Sequence, residues 1–342
     1  MATLPRALAA LTTLALLPAG AAALSGCGSA DASGDTGANG EQQTIRYQSS
    51  AGALSLLELA DHLGYLKPLK LKSVGTTISG PQDIQSAATD QTDIGSAFNG
   101  AVVKLIQAGA PIKAVISSYG EDAKTFNGYY VKDDSPIRTA RDLIGKKVGM
   151  NTLGAHFEAV LQTWLHKNGL SDQEVKQVQE VVLPPVNTEQ AIRAGQIDAG
   201  VLGGVLQDKA LARGGLRRLF SDYDLFGTFT AGTYVLRTRF IKDNPDTART
   251  LVSGLAKAID WLQTHPRDEV VRTAVAIAQE HGRPDDVPVL KYWKSPGIGQ
   301  KGGVIDPKDI QRWIGWLEDQ SQIPKGSVDV ADTYTNDLNP YR

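Results

Sequence analysis

Two rhythms of apolar residues alternate along this chain. Short apolar runs are followed by stretches whose apolar positions fall three or four apart, the pattern of βαβ units around largely parallel sheets. Ile45 to Tyr47 predicts a first strand. Leu54, Leu57, Ala60 and Leu63 then recur at helical spacing, with Gly64 as the stop. Leu69 and Leu71 alternate with lysines up to Val74, as in a half-exposed strand. A polar turn, Gly75 to Gly80, leads into Pro81, and the first turn of a helix has no use for the N–H that proline lacks. Towards the C-terminus the pattern is helical. Asn244-Pro245-Asp246 starts a helix with Leu251, Leu255, Ala258 and Leu262 on one face, and Asp306-Pro307 starts another that carries Trp313 and Trp316. These helices are expected to pack around the body and back across it.

The pattern repeats itself. Asp90-Gln91-Thr92-Asp93-Ile94-Gly95 is echoed by Gly195-Gln196-Ile197-Asp198-Ala199-Gly200. Each follows a helical stretch (Ile84 to Thr89, Glu189 to Ala194) and precedes a short strand, a polar or glycine-rich turn and another helix. The echo predicts an α/β chain of two similar lobes, each a mixed, mostly parallel sheet flanked by helices. Two crossover strands, Gly128-Tyr129-Tyr130-Val131 and Thr233-Tyr234-Val235-Leu236, would join them. The expected organisation is a signal peptide over 1–26, a lipidated cysteine and tether over 27–43, a first lobe over 44–130 and 234–342, and a second lobe over 131–233.

Two lobes imply a cleft, and ligands of open α/β sheets sit beyond the carboxyl ends of the strands. The loops there supply the candidate ligand contacts: Ser49 and Ser50; Thr77, Ser79 and Gly80; Phe98 and Asn99; Tyr119; Asn151, Thr152, Gly154 and His156; Gly203 and Gly204. Several precede helices, whose free N–H groups can hold an oxyanion without lysine or arginine. Some have a second reading. Asn99 could cap the helix after it, Phe98 and Tyr119 could be core, and His156 opens its helix as either a ligand contact or packing. Tryptophans 164, 261, 313 and 316 fit apolar helix faces. Asp222 and Asp224 could meet an amine or a metal, but read better as a solvated turn.

Composition narrows the classes. The 342 residues carry a net charge of -2, and no basic stripe suits nucleic acid. From Ala7 to Ala23 the chain is apolar or small and uncharged, short for a bilayer span of about 20 residues but suited to a secretory signal. Leu24-Ser25-Gly26-Cys27 follows and resembles the bacterial lipoprotein signal. Cys27 is the single cysteine, so no internal disulfide is available, and its thiol could carry a diacylglycerol. Residues 28–43, rich in Gly, Ser, Ala and Asp, read as a flexible tether.

Catalytic signatures are sparse. Gly297, Gly299 and Gly302 have dinucleotide-loop spacing but follow Lys294-Ser295-Pro296 in place of a strand, and read as a flexible loop. Phosphate-loop, nucleophile-elbow and paired-histidine zinc motifs do not occur. The five histidines are scattered, so neither a metal nor a cofactor is expected.

The order of residues resembles the substrate-binding proteins of aliphatic sulfonate, taurine and nitrate importers, a group that also holds binders of pyrimidine vitamin precursors. Tyr47-Gln48, Ser79-Gly80-Pro81, Asp93-Ile94-Gly95-Ser96 and Ala108-Gly109-Ala110-Pro111-Ile112-Lys113 carry the likeness. So do Ser135-Pro136-Ile137, Asp142-Leu143-Ile144-Gly145-Lys146-Lys147-Val148, Lys167-Asn168-Gly169-Leu170 and Gln196-Ile197-Asp198-Ala199. The resemblance implies a two-lobed periplasmic-binding fold; the leader and Cys27 predict a chain lipid-anchored outside the cytoplasm, and a monomer is expected. It would close on a small organic anion and deliver it to an ABC permease driven by a separate ATPase. Ser49, Ser79, Gly80, Asn99 and His156 match the family's ligand loops best. The alternatives are a pyrimidine, thiamine-precursor or aromatic ligand, or an enzyme on the same fold. Two departures bear on the ligand: Asn151 to Ala155 replace a Gly-Ser-Ser turn, and Leu202-Gly203-Gly204 replace a Trp, an acid and a Pro, a loss that argues against taurine.

Overall fold

The computed structural model describes residues 36, 37, 39–49 and 54–342. The expected leader, Cys27, the start of the tether and Ser50 lie outside the described residues.

The first lobe begins β1 (Thr44–Ser49), α1 (Leu56–His62), β2 (Lys70–Thr76), α2 (Gly80–Ala88), β3 (Ile94–Phe98), α3 (Asn99–Gln107) and β4 (Ile112–Glu121). The second holds β5 (Asn127–Lys132), β6 (Lys147–Met150), α4 (His156–Lys167), α5 (Asp172–Val175), β7 (Gln179–Val182), α6 (Pro185–Arg193), β8 (Ala199–Gly203), α7 (Gly204–Ala212), β9 (Leu216–Ser221) and α8 (Asp222–Phe226). The chain then returns through β10 (Phe229–Arg237) to α9 (Thr238–Asp243), α10 (Pro245–Thr264), α11 (Arg267–Glu280), α12 (Val287–Leu290), α13 (Pro307–Asp319) and α14 (Val330–Thr333).

The second sheet has the order β7-β6-β8-β5-β9, with β7, β6 and β8 parallel and β5 antiparallel to both its neighbours. In the first lobe β1 pairs with β2 in parallel, and β10 lies antiparallel between β3 and β4. The two lobes are therefore built alike, with one strand of opposite sense inserted into each.

The echo recurs at atomic detail. The Asp93 N–H donates to the Arg46 carbonyl at 2.9 Å while its carboxylate accepts from the Arg46 N–H at 2.7 Å. The Asp198 N–H donates to the Lys147 carbonyl at 2.9 Å and its carboxylate accepts from the Lys147 N–H, also at 2.9 Å. Each aspartate thus ties the entry of β3 or β8 to the start of the strand beside it. The preceding turn needs a left-handed residue, which Asp90 (φ 66) supplies in one lobe and Gly195 (φ 69) in the other. Glycine and aspartate are the residues that enter this region at least cost.

Apolar faces close the layers. α10 buries Leu251, Leu255 and Ala258 completely against α1 and the first sheet, worth about 1.5–3 kcal/mol per leucine. Trp313 of α13, 1 % exposed, fills the core beside α3 and β10. In the second lobe the Trp164 and Phe220 rings stack at 4.0 Å.

Three expectations change. The predicted crossings fall inside β5 and β10, yet each of these strands is paired on both edges within a single sheet. The chain instead passes between lobes at 122–126, after β4, and at 227–228, between α8 and β10, where ladder pairing has ended. The tether is shorter than its composition implies, because from Glu41 onward it docks. The Glu41 carboxylate accepts from the Thr247 N–H at 2.7 Å and the Asp246 N–H at 3.3 Å. It thereby satisfies free donors at the start of α10. The 297–302 glycines form a packed loop, with Gly297 against the Gly120 carbonyl and the Gly302 carbonyl accepting from Asn339 Nδ2 at 2.9 Å.

Candidate ligand cleft

Between the lobes lies a cavity of about 400 Å³. Its walls are the beginnings of helices, two from each lobe: Gly80 and Pro81 of α2, Phe98 just before α3, Ala155 and His156 at α4, and Pro184 to Val186 at α6. Helices start here because the strands before them end here, as expected of open α/β sheets. No side chain caps the first turn of α4, so its leading N–H groups stay available, whereas α6 opens on Pro184 and Pro185, which carry no N–H, and leaves Val186 as its first donor. At α2 the Ser79 hydroxyl accepts from the Gln82 N–H at 3.4 Å.

The lobes touch across the mouth of this cavity. Ser79 Oγ lies 3.3 Å from Thr152 Oγ1, and Asn151 Nδ2 donates to the Ile78 carbonyl at 2.9 Å. Ile78 and Val186, both about half exposed, give the rim an apolar character.

The inner wall is aromatic and acidic. His156, 4 % exposed, stacks on Phe98 with ring centroids 5.4 Å apart and on Tyr119 at 6.3 Å. Burial pushes the Tyr119 phenol upward, with the Glu121 carboxylate adding to it. Behind His156 lie Glu121 at the end of β4 and Asp222 at the start of α8. His156 Nε2 is 3.2 Å from Asp222 Oδ2. Asn127 Nδ2 donates to Glu121 Oε1 at 2.6 Å and to Asp222 Oδ2 at 3.0 Å. Burial first, then the facing Asp222 carboxylate, push the Glu121 carboxyl well above the ordinary range. On the α2 side Asp83 accepts from the Ser96 N–H at 2.7 Å, and burial raises its carboxyl to about 7 against that hydrogen bond. Among the described residues lining the cavity there is no lysine or arginine.

Of the contacts expected from sequence, Thr77, Ser79, Gly80, Phe98, Tyr119, Asn151 and His156 line this cavity. Thr152 reaches it through Ser79. The others serve elsewhere. Ser49 Oγ donates to the Gly75 carbonyl at 3.4 Å, between β1 and β2. Asn99 is the first residue of α3 and not its cap, and its Nδ2 donates to the Thr230 carbonyl at 3.1 Å, binding α3 to β10. Gly154 carries the turn before α4, its N–H donating to the Glu158 carboxylate. Gly203 is where β8 passes Asn127, since a Cβ there would lie 1.8 Å from Asn127 Oδ1. Gly204 begins α7 outside the cavity wall. Asp222 is fully buried and not in a solvated turn, because Asn127, Tyr223 and His156 enclose it, whereas Asp224 is at the surface 3.4 Å from Arg218.

Sequence reasoning missed Asp83, Asn127, Glu121 and Pro184 to Val186. The last had a legible signal: the echo makes α6 the counterpart of α2, and both open on proline. Glu121 had none, since its role exists only where two distant strand ends meet.

Comparison with known proteins fits this architecture. The chain is 26% identical over 248 residues to a Bacillus subtilis (strain 168) protein provisionally named an aliphatic sulfonates-binding protein, a match covering 71% of each. The alkanesulfonate-binding protein SsuA from Xanthomonas axonopodis pv. citri, solved bound to MOPS, superposes with a TM-score of 0.67 at 23% identity, over 86% of this chain and 99% of that one. The desulfurization enzyme DSZB shares the fold at a TM-score of 0.59 and 15% identity, over 87% of this chain and 97% of its own, so the architecture serves both binding proteins and an enzyme. Among the described residues no helix is long and apolar enough to cross a membrane. The family described as NMT1/THI5 like matches residues 59–269, more than half of the chain, and the protein belongs to it.

Proposed function

We propose that this protein is an extracytoplasmic solute receptor of an ABC importer, which captures a small organic anion of the sulfonate class and delivers it to a permease. The observation that carries the reading is the cavity between two duplicated lobes, ringed by helix N-termini from both. Free N–H groups and the helix dipole favour an anionic head there. The apolar rim at Ile78, Pro184 and Val186 suits a hydrocarbon portion. Ser79 to Thr152 and Asn151 to Ile78 are the contacts by which the lobes would shut over it. The relatives that bear binding names support the same reading, and catalysis is not part of it. The leader and Cys27 would hold the receptor on the membrane by a lipid.

Asp83 supports a second reading. An acid without a neighbouring cation in the wall suits a ligand with a hydrogen-bond donor, such as an aminopyrimidine or another nitrogenous aromatic.

A thermal-shift panel of alkane- and arylsulfonates, taurine, nitrate and aminopyrimidines tests both. A ligand at a hundred times its Kd adds about 2.7 kcal/mol, which in a body of this size raises Tm by several degrees. A shift confined to sulfonates supports the first reading, and one confined to aminopyrimidines the second. Turnover of the bound compound would overturn the receptor reading.

A further inference from the structure

We propose that Glu121, His156 and Asp222 form a binding site for one divalent transition-metal ion of the zinc class, at the point where the two lobes join. This goes beyond the receptor reading and stands without it. One ligand atom from each of the three residues lies within 4.8 Å of the other two. All three side chains are buried, with exposures of 2 %, 4 % and 0 %. Glu121 Oε2 and both ring nitrogens of His156 are buried and have no hydrogen-bond partner. Among the described residues the polar approach to that ring is that of Asp222 Oδ2 to Nε2, at 3.2 Å.

The surroundings are those of a held ligand set. Asn127 Nδ2 bridges one oxygen of each carboxylate, and the Asn127 and Tyr223 N–H groups fix Asp222 Oδ1 at 3.0 and 2.8 Å. Such outer hydrogen bonds orient metal ligands, and here they leave Glu121 Oε2 without a donor while Asp222 Oδ2, facing His156, accepts from Asn127 alone. Gly203 gives Asn127 the room to do this. The ring of His156 is packed among Phe98, Tyr119, Phe229 and Trp313. Taking charges out of water into such a shell costs several kcal/mol per ion. A dication neutralises two carboxylates at once, with the imidazole as a neutral ligand. One imidazole and two carboxylates suit zinc, manganese, iron(II) or cobalt better than calcium or magnesium, which favour all-oxygen shells. Three protein ligands leave a coordination position open. His156 and Asn127 also line the cavity, so the ion would stand beside a bound solute and supply the positive charge that the wall lacks.

The test uses the full-length chain stripped with EDTA and titrated with Zn²⁺ by calorimetry and with Co²⁺ by visible absorption. The expected result is one saturable equivalent and ligand-field bands. Glu121→Gln and His156→Ala should each weaken uptake about a hundredfold or more, while His62→Ala, at a surface histidine beside Glu280, should leave it unchanged. No stoichiometric uptake, uptake that survives both site variants, or uptake lost in His62→Ala overturns the proposal. Should the site variants not fold, X-ray absorption of the zinc-loaded native chain decides it. One imidazole with oxygen neighbours supports the site, whereas sulfur or several imidazoles overturns it. A solute that binds in EDTA to a chain taking up no metal would refute this site and leave the receptor reading intact.

Discussion

Asp83 offers the sharpest link between burial and behaviour. Its side chain is 7 % exposed, one oxygen accepts from the Ser96 N–H, and the other has no hydrogen-bond partner. Burial raises its carboxyl from 3.8 to about 7. The gap of about three pH units corresponds to about 4 kcal/mol between the two protonation states. The folded state holds the proton more tightly than the unfolded one, so above the unfolded pKa the protein loses stability as pH rises, and the loss is complete once pH has passed the folded value. Between pH 5 and pH 9 about 2.5 kcal/mol of it should appear. Asp83→Asn removes the titration, keeps an acceptor for Ser96, and leaves its amide N–H₂ to find a partner, at a pH-independent cost of about 1–3 kcal/mol. The assay is urea unfolding of both proteins across that pH range. The stability of Asp83→Asn relative to wild type should rise with pH by about 2.5 kcal/mol, or roughly 5 °C in Tm. A difference that stays flat across the range would mean that Asp83 is solvated through the cleft and ionised in the folded state, refuting the argument.

Two further outcomes follow from single contacts. Asn99→Ala removes a buried hydrogen bond to the Thr230 carbonyl and should destabilise the fold by about 1–3 kcal/mol while leaving solute affinity unchanged. A loss of affinity with unchanged stability would put Asn99 back in the ligand site. Cys27→Ser should release the protein from the membrane fraction, and retention of the variant there would rule out the lipid anchor.

How much was legible depends on the range of the forces involved. The alternation of strand and helix was readable because each element satisfies its own backbone and shows one apolar face, which leaves a period in the chain. The duplication was readable for the same reason. Asp90 to Gly95 and Gly195 to Gly200 are local motifs, and the aspartate that binds the neighbouring strand is part of each. Ser79, Gly80, Asn151 and His156 were found because a helix start is marked in sequence and the strand ends gather helix starts at the cleft.

What the chain alone could not reveal is whichever property belongs to several distant segments at once. From sequence Asn99 reads as a ligand contact or a helix cap, and only the position of β10 gives its amide a carbonyl to bind. The 36–43 segment has a tether's composition, yet Glu41 finds the open N–H groups of α10, two hundred residues away in sequence. Asp222 has the neighbours of a surface turn, and only the crossing of the two connections brings it to Glu121 and His156. Sequence by itself thus determined the elements, their repetition and the helix starts that ring the cleft, because these rest on local backbone and hydrophobic periodicity. Tertiary structure alone decided which acids are buried and what they face, because burial, and with it the energy of a charge, is set by whatever the fold places on the other side.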